Sequence, residues 1–488
     1  MLMIMEMIEQ HPKHNIAIRT EEDSFTYEEL IFKVEQFSQW LNNNKIHSVA
    51  LYCGNQAEWI FVDLACQQAN VVFTPVPPFF SDLQIDELIS TVRPDVIISN
   101  EVLSFYEKEQ TPFPSLSAYF LKLEKSPKLP KGTSKVTFTS GTTGKPKGVC
   151  LSTENQMNVA RSIVEAVDIQ SPTHLCLLSL STLLENVAGI YAPLMAGGTV
   201  WLLDSEELGF DGAELFNMDS FLSAISRVKP QSLILVPELL QVLIIGLNNG
   251  WLAPEELEFI AVGGSKVSER LILQAREVGL PVYQGYGLSE CGSVVSINKR
   301  NNNTIYSCGE VLPHVSISII DGELVVEGNV FLGYINDEKS WYPKKVNTGD
   351  IAKLVNNSIE INGRKKNVII NSYGRNMSPE WIESEIMSSG MFQQAVVLGD
   401  GRPFCIAILV PLNRNLPERD VEQAMAKVNN VLPGYAQVQY QVSLKSPMNF
   451  EDGLFTTNGR PKRHAIENHF HKEISNIYKQ SKTNLEMS

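Results

Sequence analysis

Apolar positions along this chain follow two periods, and the switches between them mark its elements. Thr26 with Glu29 three positions on is a capping-box pattern, and Leu30, Val34, Phe37 and Leu41 then recur at helical spacing, so an amphipathic helix is predicted here. The run Val49-Ala50-Leu51-Tyr52-Cys53 reads as a buried strand, 55–69 as a helix and Val71-Val72-Phe73 as the next strand, which together make a βαβ unit. The pattern returns at 85–92 with 96–98, at 233–247, and at 259–262 followed by a helix to about residue 278. Such alternation predicts an α/β fold: a large, multi-layered N-terminal region of mostly parallel sheets, whose loops at the strand ends bind ligands.

Beyond Arg364 the texture changes. A helix start at Ser378-Pro379-Glu380 is followed by two apolar runs, 395–398 and 404–408, around Gly399-Asp400-Gly401. Serine before proline opens helices well, and the Gly-Asp-Gly stretch suggests a hairpin. The expected division is therefore residues 1–363 as one domain and residues 364–488 as a small C-terminal α+β domain.

Bulk properties narrow the classes. A chain of 488 residues is too long for one core. A formal charge of -15 would repel nucleic acid and anionic lipid, so no nucleic-acid partner is expected. The seven cysteines are scattered and never spaced C-x-x-C, which indicates neither a disulfide framework nor a zinc site, and suits a cytoplasmic protein. The first residues carry Glu6 and Glu9 and no basic lead, so no signal peptide is expected, and no apolar run approaches the ~18 residues of a transmembrane span.

Candidate chemistry centres on Thr139-Ser140-Gly141-Thr142-Thr143-Gly144-Lys145-Pro146-Lys147-Gly148, which follows the strand-like run Val136-Thr137-Phe138. Hydroxyls, glycines and two lysines together can wrap the tail of a nucleoside triphosphate. By composition alone a Gly/Thr-rich turn reads as readily as a surface loop. The G-x-x-x-x-G-K-[ST] loop is disfavoured, because Pro146 stands where that loop places its magnesium-binding hydroxyl. Order and spacing instead make the run resemble the phosphate loop of the adenylate-forming superfamily of acyl-CoA synthetases, luciferases and peptide-synthetase adenylation domains.

Further motifs follow in that family's order. Gly263-Gly264-Ser265 resembles the glycine pair that lies against adenine, where missing β-carbons let main chain approach a flat ring. Tyr286-Gly287-Leu288-Ser289-Glu290 resembles the stretch whose aromatic ring stacks on adenine, whose hydroxyl reaches phosphate and whose glutamate holds magnesium. Thr348-Gly349-Asp350 and Gly363-Arg364 match the segments that place Asp350 on the ribose hydroxyls and Arg364 near ribose and phosphate. Asn367 stands at the hinge of the small domain, and Gly374 matches a glycine on the thiol's route. Singly, each reads as a common turn; in sequence they span almost the whole chain.

Two departures stand out. In Thr456-Thr457-Asn458-Gly459-Arg460-Pro461-Lys462-Arg463, Arg460 occupies the place of the family's lysine that bridges substrate carboxylate and α-phosphate, with Lys462 as a possible substitute. The exchange keeps charge but changes shape. The segment from Leu178 to Gly189 resembles the acid-binding stretch of long-chain fatty acyl-CoA synthetases, with Thr182 for a histidine and Asn186 for an arginine. No aspartate occurs from His174 to Tyr191 to pair a substrate ammonium, which points to an apolar acid; Leu183, Leu184, Val187 and Ile190 fit a pocket or ordinary core equally.

The resemblance implies an enzyme that uses ATP and Mg2+ to convert a fatty or other apolar carboxylic acid into an acyl-adenylate, releasing pyrophosphate, then transfers the acyl group to a thiol. CoA is the expected acceptor. A separate carrier protein is the alternative within enzymes, and a catalytically impaired nucleotide-binding protein is the alternative outside them. The small domain would be a mobile lid.

Overall fold

The computed structural model describes residues 4–103, 107–121, 126–140, 146–211, 214–372, 375–450, 452–456 and 459–486. Among these residues the strands form a thirteen-stranded sheet, an eight-stranded sheet and a separate three-stranded sheet, with two further two-stranded pairs. The predicted capping box is present: Thr26 Oγ1 accepts from the Glu29 amide at 3.2 Å, and Glu29 Oε2 accepts from the Thr26 amide at 2.8 Å. It opens the helix Tyr27–Asn43, whose Leu30, Val34, Phe37 and Leu41 are buried.

Parallel pairing occurs where strands alternate with helices. Ser48–Tyr52 pairs with Val72–Pro75 and Val96–Ser99, and Ser232–Leu235, Phe259–Val262 and Val282–Tyr286 run side by side in the large sheet. The helix Ala57–Gln68 is buried at ten of its twelve positions, as a helix packed on several sides must be. From Tyr286 onward the large sheet continues in antiparallel strands, including Glu323–Gly328, Lys345–Val355 and Ser358–Arg364. Among the described residues that half has only two short 3-10 turns, Ser289–Cys291 and Glu338–Ser340, between its strands, so the alternation that predicts parallel pairing does not reach it.

The phosphate-loop segment is a hairpin connection. Lys135–Ser140 lies parallel to Val72–Pro75 but antiparallel to Pro146–Leu151, with Thr139 opposite Lys147 and Ser140 opposite Pro146.

The C-terminal sheet joins Phe392–Leu398, Cys405–Pro411 and Val438–Ser443, covered on its two faces by separate apolar clusters. Gly399 (φ +151°) and Gly401 (φ +67°) turn the expected hairpin, and Ser378 caps the helix Pro379–Met387 by accepting from the Trp381 amide at 3.3 Å. Among the described residues no helix is long and apolar enough to cross a membrane.

Candidate active site

Two neighbouring parallel strands of the large sheet end side by side in glycine turns. Phe259–Val262 runs into Gly263-Gly264-Ser265, where Gly264 takes φ +84°, and a β-carbon on Gly263 would lie 3.0 Å from the Gly285 carbonyl oxygen. The neighbouring strand Val282–Tyr286 runs into Gly287, where a β-carbon would fall 1.6 Å from the Ser293 carbonyl oxygen. Only glycine fits that turn, and it carries Ser289 and Glu290 into the short helix Ser289–Cys291.

Asp350 is the centre of the arrangement. It pairs across the antiparallel ladder with Arg364, whose Nε lies 2.7 Å from Asp350 Oδ1, and the Tyr286 hydroxyl donates to Asp350 Oδ2 at 2.6 Å. Burial pushes the Asp350 carboxyl above its ordinary value while the Arg364 guanidinium holds it down. Burial and the same carboxylate push the Tyr286 phenol well up, so Tyr286 stays protonated as a donor. Each carboxylate oxygen has a second lone-pair direction, which leaves capacity for a pair of substrate hydroxyls.

A second group assembles beside it. The Lys147 ammonium lies 4.9 Å from the centre of the Tyr334 ring, and the Tyr334 hydroxyl donates to Glu290 Oε1 at 2.9 Å. Thr139, opposite Lys147 in register, places the root of the hairpin at this group. Gly141, Thr142, Thr143 and Gly144 lie outside the described residues, as does Gly374; of Ser140 only the main chain is described. Tyr334 is absent from the sequence-based set. Its only signal is the Gly333-Tyr334 pair, in which Gly333 takes φ +131° against Trp341.

The small domain carries Arg460, an exposed residue whose guanidinium lies within electrostatic reach of Arg364, Asp350, Glu290 and Glu380. Removal from water and the neighbouring Arg364 guanidinium lower the Arg460 guanidinium, against the pull of the Asp350, Glu290 and Glu380 carboxylates. Its turn is held by the Arg460 amide on Thr456 Oγ1 at 3.1 Å and the Thr456 amide on the Arg460 carbonyl at 2.7 Å. Lys462 goes elsewhere: its ammonium sits 5.3 Å from the centre of the Phe450 ring. Arg463 binds both Glu383 oxygens, at 2.6 and 2.5 Å. Of these three cations, Arg460 is the one brought to Asp350. Asn367 Nδ2 donates to Glu380 Oε1 at 2.6 Å.

The predicted acid-binding segment is anchored from behind. Asn55 bridges the Leu178 carbonyl and the Leu180 amide at 2.9 Å each, and Glu185, fully buried, lies 3.1 Å from His174 Nε2 and accepts from the Leu178 amide at 3.4 Å. Asn186 turns into the core: it donates to Asp63, which is paired with Lys135 at 3.0 Å and accepts from the Tyr191 hydroxyl at 2.5 Å. Lys135 thus supplies the buried cation, and an arginine at 186 would be a second one. Leu183, Val187 and Ile190 are core residues, at most 5% exposed.

The profile of the AMP-binding enzyme family matches residues 5–335, and that of the AMP-binding enzyme C-terminal domain matches residues 366–482. The chain belongs to the AMP-binding enzyme family. This AMP-binding enzyme is 27% identical over 421 residues to the 2-succinylbenzoate–CoA ligase of Staphylococcus epidermidis, a match covering 79% of the chain and 82% of that enzyme. It is 35% identical over 158 residues to the long-chain-fatty-acid–CoA ligase FadD15 of Mycobacterium bovis, covering 30% of the chain but only 26% of that enzyme. Among solved structures, the o-succinylbenzoate CoA synthetase (MenE) of Bacillus subtilis in complex with ATP and magnesium superposes with a TM-score of 0.74 at 22% identity, over 94% of this chain and 98% of that one.

Proposed function

We infer that this AMP-binding enzyme is an AMP-forming acid–thiol ligase. It activates a carboxylic acid with ATP: a carboxylate oxygen attacks the α-phosphorus, the bond from that phosphorus to the bridging oxygen breaks, and pyrophosphate leaves. The thiol sulfur then attacks the acyl carbon, and AMP departs with the former carboxylate oxygen. The observation that carries this reading is the Asp350 carboxylate held by Tyr286 and Arg364, within electrostatic reach of Arg460.

The roles assigned to the residues are those the family resemblance implies, supported at Tyr286, Asp350 and Arg364 by the contacts described above. Gly263, Gly264 and Ser265, with Tyr286 and Gly287, form the adenine wall; Asp350 takes the ribose hydroxyls; Arg364 stands between ribose and phosphate. Thr139, Ser140, Gly141, Thr142, Thr143 and Gly144 cradle the phosphates, with Ser289 and Lys147 beside them. Arg460 draws the acid carboxylate and the α-phosphate together, a preorganised charge that costs no rearrangement during reaction. Three carboxylates, Asp350, Glu290 and Glu380, favour its charge against the like-charged Arg364, which supports a working enzyme over an impaired binding protein.

Glu290 is a hard oxygen donor, already oriented by Tyr334 beside Lys147, and this donor set fits a magnesium ion carried in on the phosphates. Such an ion supplies charge neutralisation to the phosphate oxygens. Residues 1–363 form the AMP-binding body and residues 364–488 the lid, which swings at Asn367 so that Gly374 lines the thiol's route in the second step. The acid is apolar, a fatty acid or an aryl-substituted one, since no carboxylate stands free along 174–191; the thiol is that of CoA. Seven buried, unpaired cysteines suit the cytoplasm.

Acid-dependent exchange of labelled pyrophosphate into ATP, run across a panel of fatty, aryl and amino acids, tests the reading. Exchange with one class of apolar acid is expected, followed by thioester formation with CoA. Exchange without any CoA thioester, but with loading of a carrier arm, would replace CoA by a carrier protein. No acid-dependent exchange would overturn the enzyme reading.

A further inference from the structure

Glu380 has three partners in three different places. It lies in the first turn of the helix Pro379–Met387. Its Oε1 accepts from Asn367 Nδ2 at 2.6 Å and stands 3.7 Å from Arg463 Nη2, while its Oε2 accepts from the Ser378 hydroxyl at 2.9 Å. Its side chain is 21% exposed, so these bonds are partly shielded from water. Asn367 follows Arg364, the partner of Asp350, by three residues, and Arg463 follows Arg460 by three. One carboxylate therefore touches both the turn that joins the two domains and the segment that delivers Arg460.

The geometry near the turn is tight. At Gly363 (φ +142°) a β-carbon would lie 2.4 Å from Ser378 Oγ, so the capped helix end sits directly on the strand that carries Arg364. A swing taken up at the ψ angle of Asn367, the proposed pivot, would leave the Asn367 side chain with the body while Glu380 moves with the lid, and would break this hydrogen bond. The orientation with the bond intact is the one that holds Arg460 within the field of Asp350.

We propose that Glu380 is a positioning residue that selects the adenylate-forming orientation of the lid by holding Asn367 and Arg463 together. The proposal rests on the two-step ligase reading and adds a residue whose described bonds are to Asn367, Ser378 and Arg463. An amide donating to a carboxylate is a charge-assisted bond, and its loss shifts an equilibrium by about tenfold or more. A carboxylate in the first turn also favours its helix, but a purely structural role would slow both half-reactions alike.

The full chain carrying Glu380→Ala, Glu380→Gln, Asn367→Ala, or both alanines is compared with wild type in three measurements: acid-dependent pyrophosphate exchange, thioester formation from supplied acyl-adenylate, and thermal melting. Exchange is expected to fall about tenfold in each alanine variant, while thioester formation from the supplied adenylate stays near wild type. The double variant is expected to fall no further than either single one, because both remove the same bond. Glu380→Gln, which keeps an acceptor but not the charge, should lie between. If Glu380→Ala does not fold, Asn367→Ala carries the test from outside the helix. Equal slowing of both steps, or multiplied losses in the double variant, overturns the proposal. Absence of acid-dependent exchange in wild type would instead remove the ligase reading, and this inference with it.

Discussion

Replacing Arg460 tests the most consequential departure of this chain from the motif it resembles. The guanidinium stands among the Asp350, Glu290 and Glu380 carboxylates and against Arg364. A unit charge about 4 Å from a phosphate oxygen, at an effective dielectric of about 20, interacts by about 4 kcal/mol. Removal of one preorganised stabiliser typically costs about 3–4 kcal/mol, or 10²–10³ in rate. Arg460→Ala should therefore lower kcat for pyrophosphate exchange by ~10²–10³, with little change in KM for ATP, whose proposed adenine and ribose contacts, Arg364 apart, come from residues 1–363. The turn itself is held by main-chain bonds to Thr456, so the variant should melt as wild type does. Arg460→Lys keeps the charge, and should match or exceed the wild-type rate. A fall above about tenfold in Arg460→Lys would show that the flat fork of the guanidinium is required. Exchange by Arg460→Ala at near the wild-type rate would refute the reasoning.

Other expectations follow from specific contacts. Asp350→Ala leaves Tyr286 and Arg364 without their shared acceptor, and should raise KM for ATP by tenfold or more, about 1.4 kcal/mol per decade, read in the exchange assay; an unchanged KM would remove Asp350 from the ribose site. Lys135→Met strands the buried Asp63 carboxylate and should cost about 3–5 kcal/mol in denaturant unfolding, much of it recovered when Asp63→Leu is added; a loss below about 1 kcal/mol would contradict the pairing. His314 is lowered from 6.5 to about 4 by burial, despite its bond to the Val294 carbonyl. The unfolded chain therefore takes up this proton first, and stability present above about pH 6.5 is lost as pH falls towards 4, by on the order of 2 kcal/mol after allowing for partial exposure. His314→Gln should flatten that part of the pH–stability curve; an unchanged slope would assign it to other groups.

How far the sequence alone reaches depends on the range of the interaction. The Thr26 cap, the Ser378-Pro379 helix start and the Gly399 hairpin are settled within a few residues, and all are legible in the pattern. The strands that follow Tyr286 include hairpins, and Asp350 stands opposite Arg364 in one of them, Lys345–Val355 turning at Asn356-Asn357 into Ser358–Arg364, a local turn signal that lies outside the motif set. Their motifs name them; only the ladder explains why they meet. Tyr334 and Glu380 leave almost no local trace, because each gains its place from a strand or helix distant in sequence. Asn186 is the converse: it reads as a departure at a substrate segment, yet packs into a core ion pair with Lys135 and Asp63 whose members are far apart in the chain.

The decisive measurement follows the oxygen. With the acid chosen by the exchange panel, labelled with oxygen-18 in its carboxylate, one turnover to thioester should leave a single labelled oxygen in AMP and none in pyrophosphate. Label in inorganic phosphate, or AMP formed without label, would contradict attack of the carboxylate on the α-phosphorus.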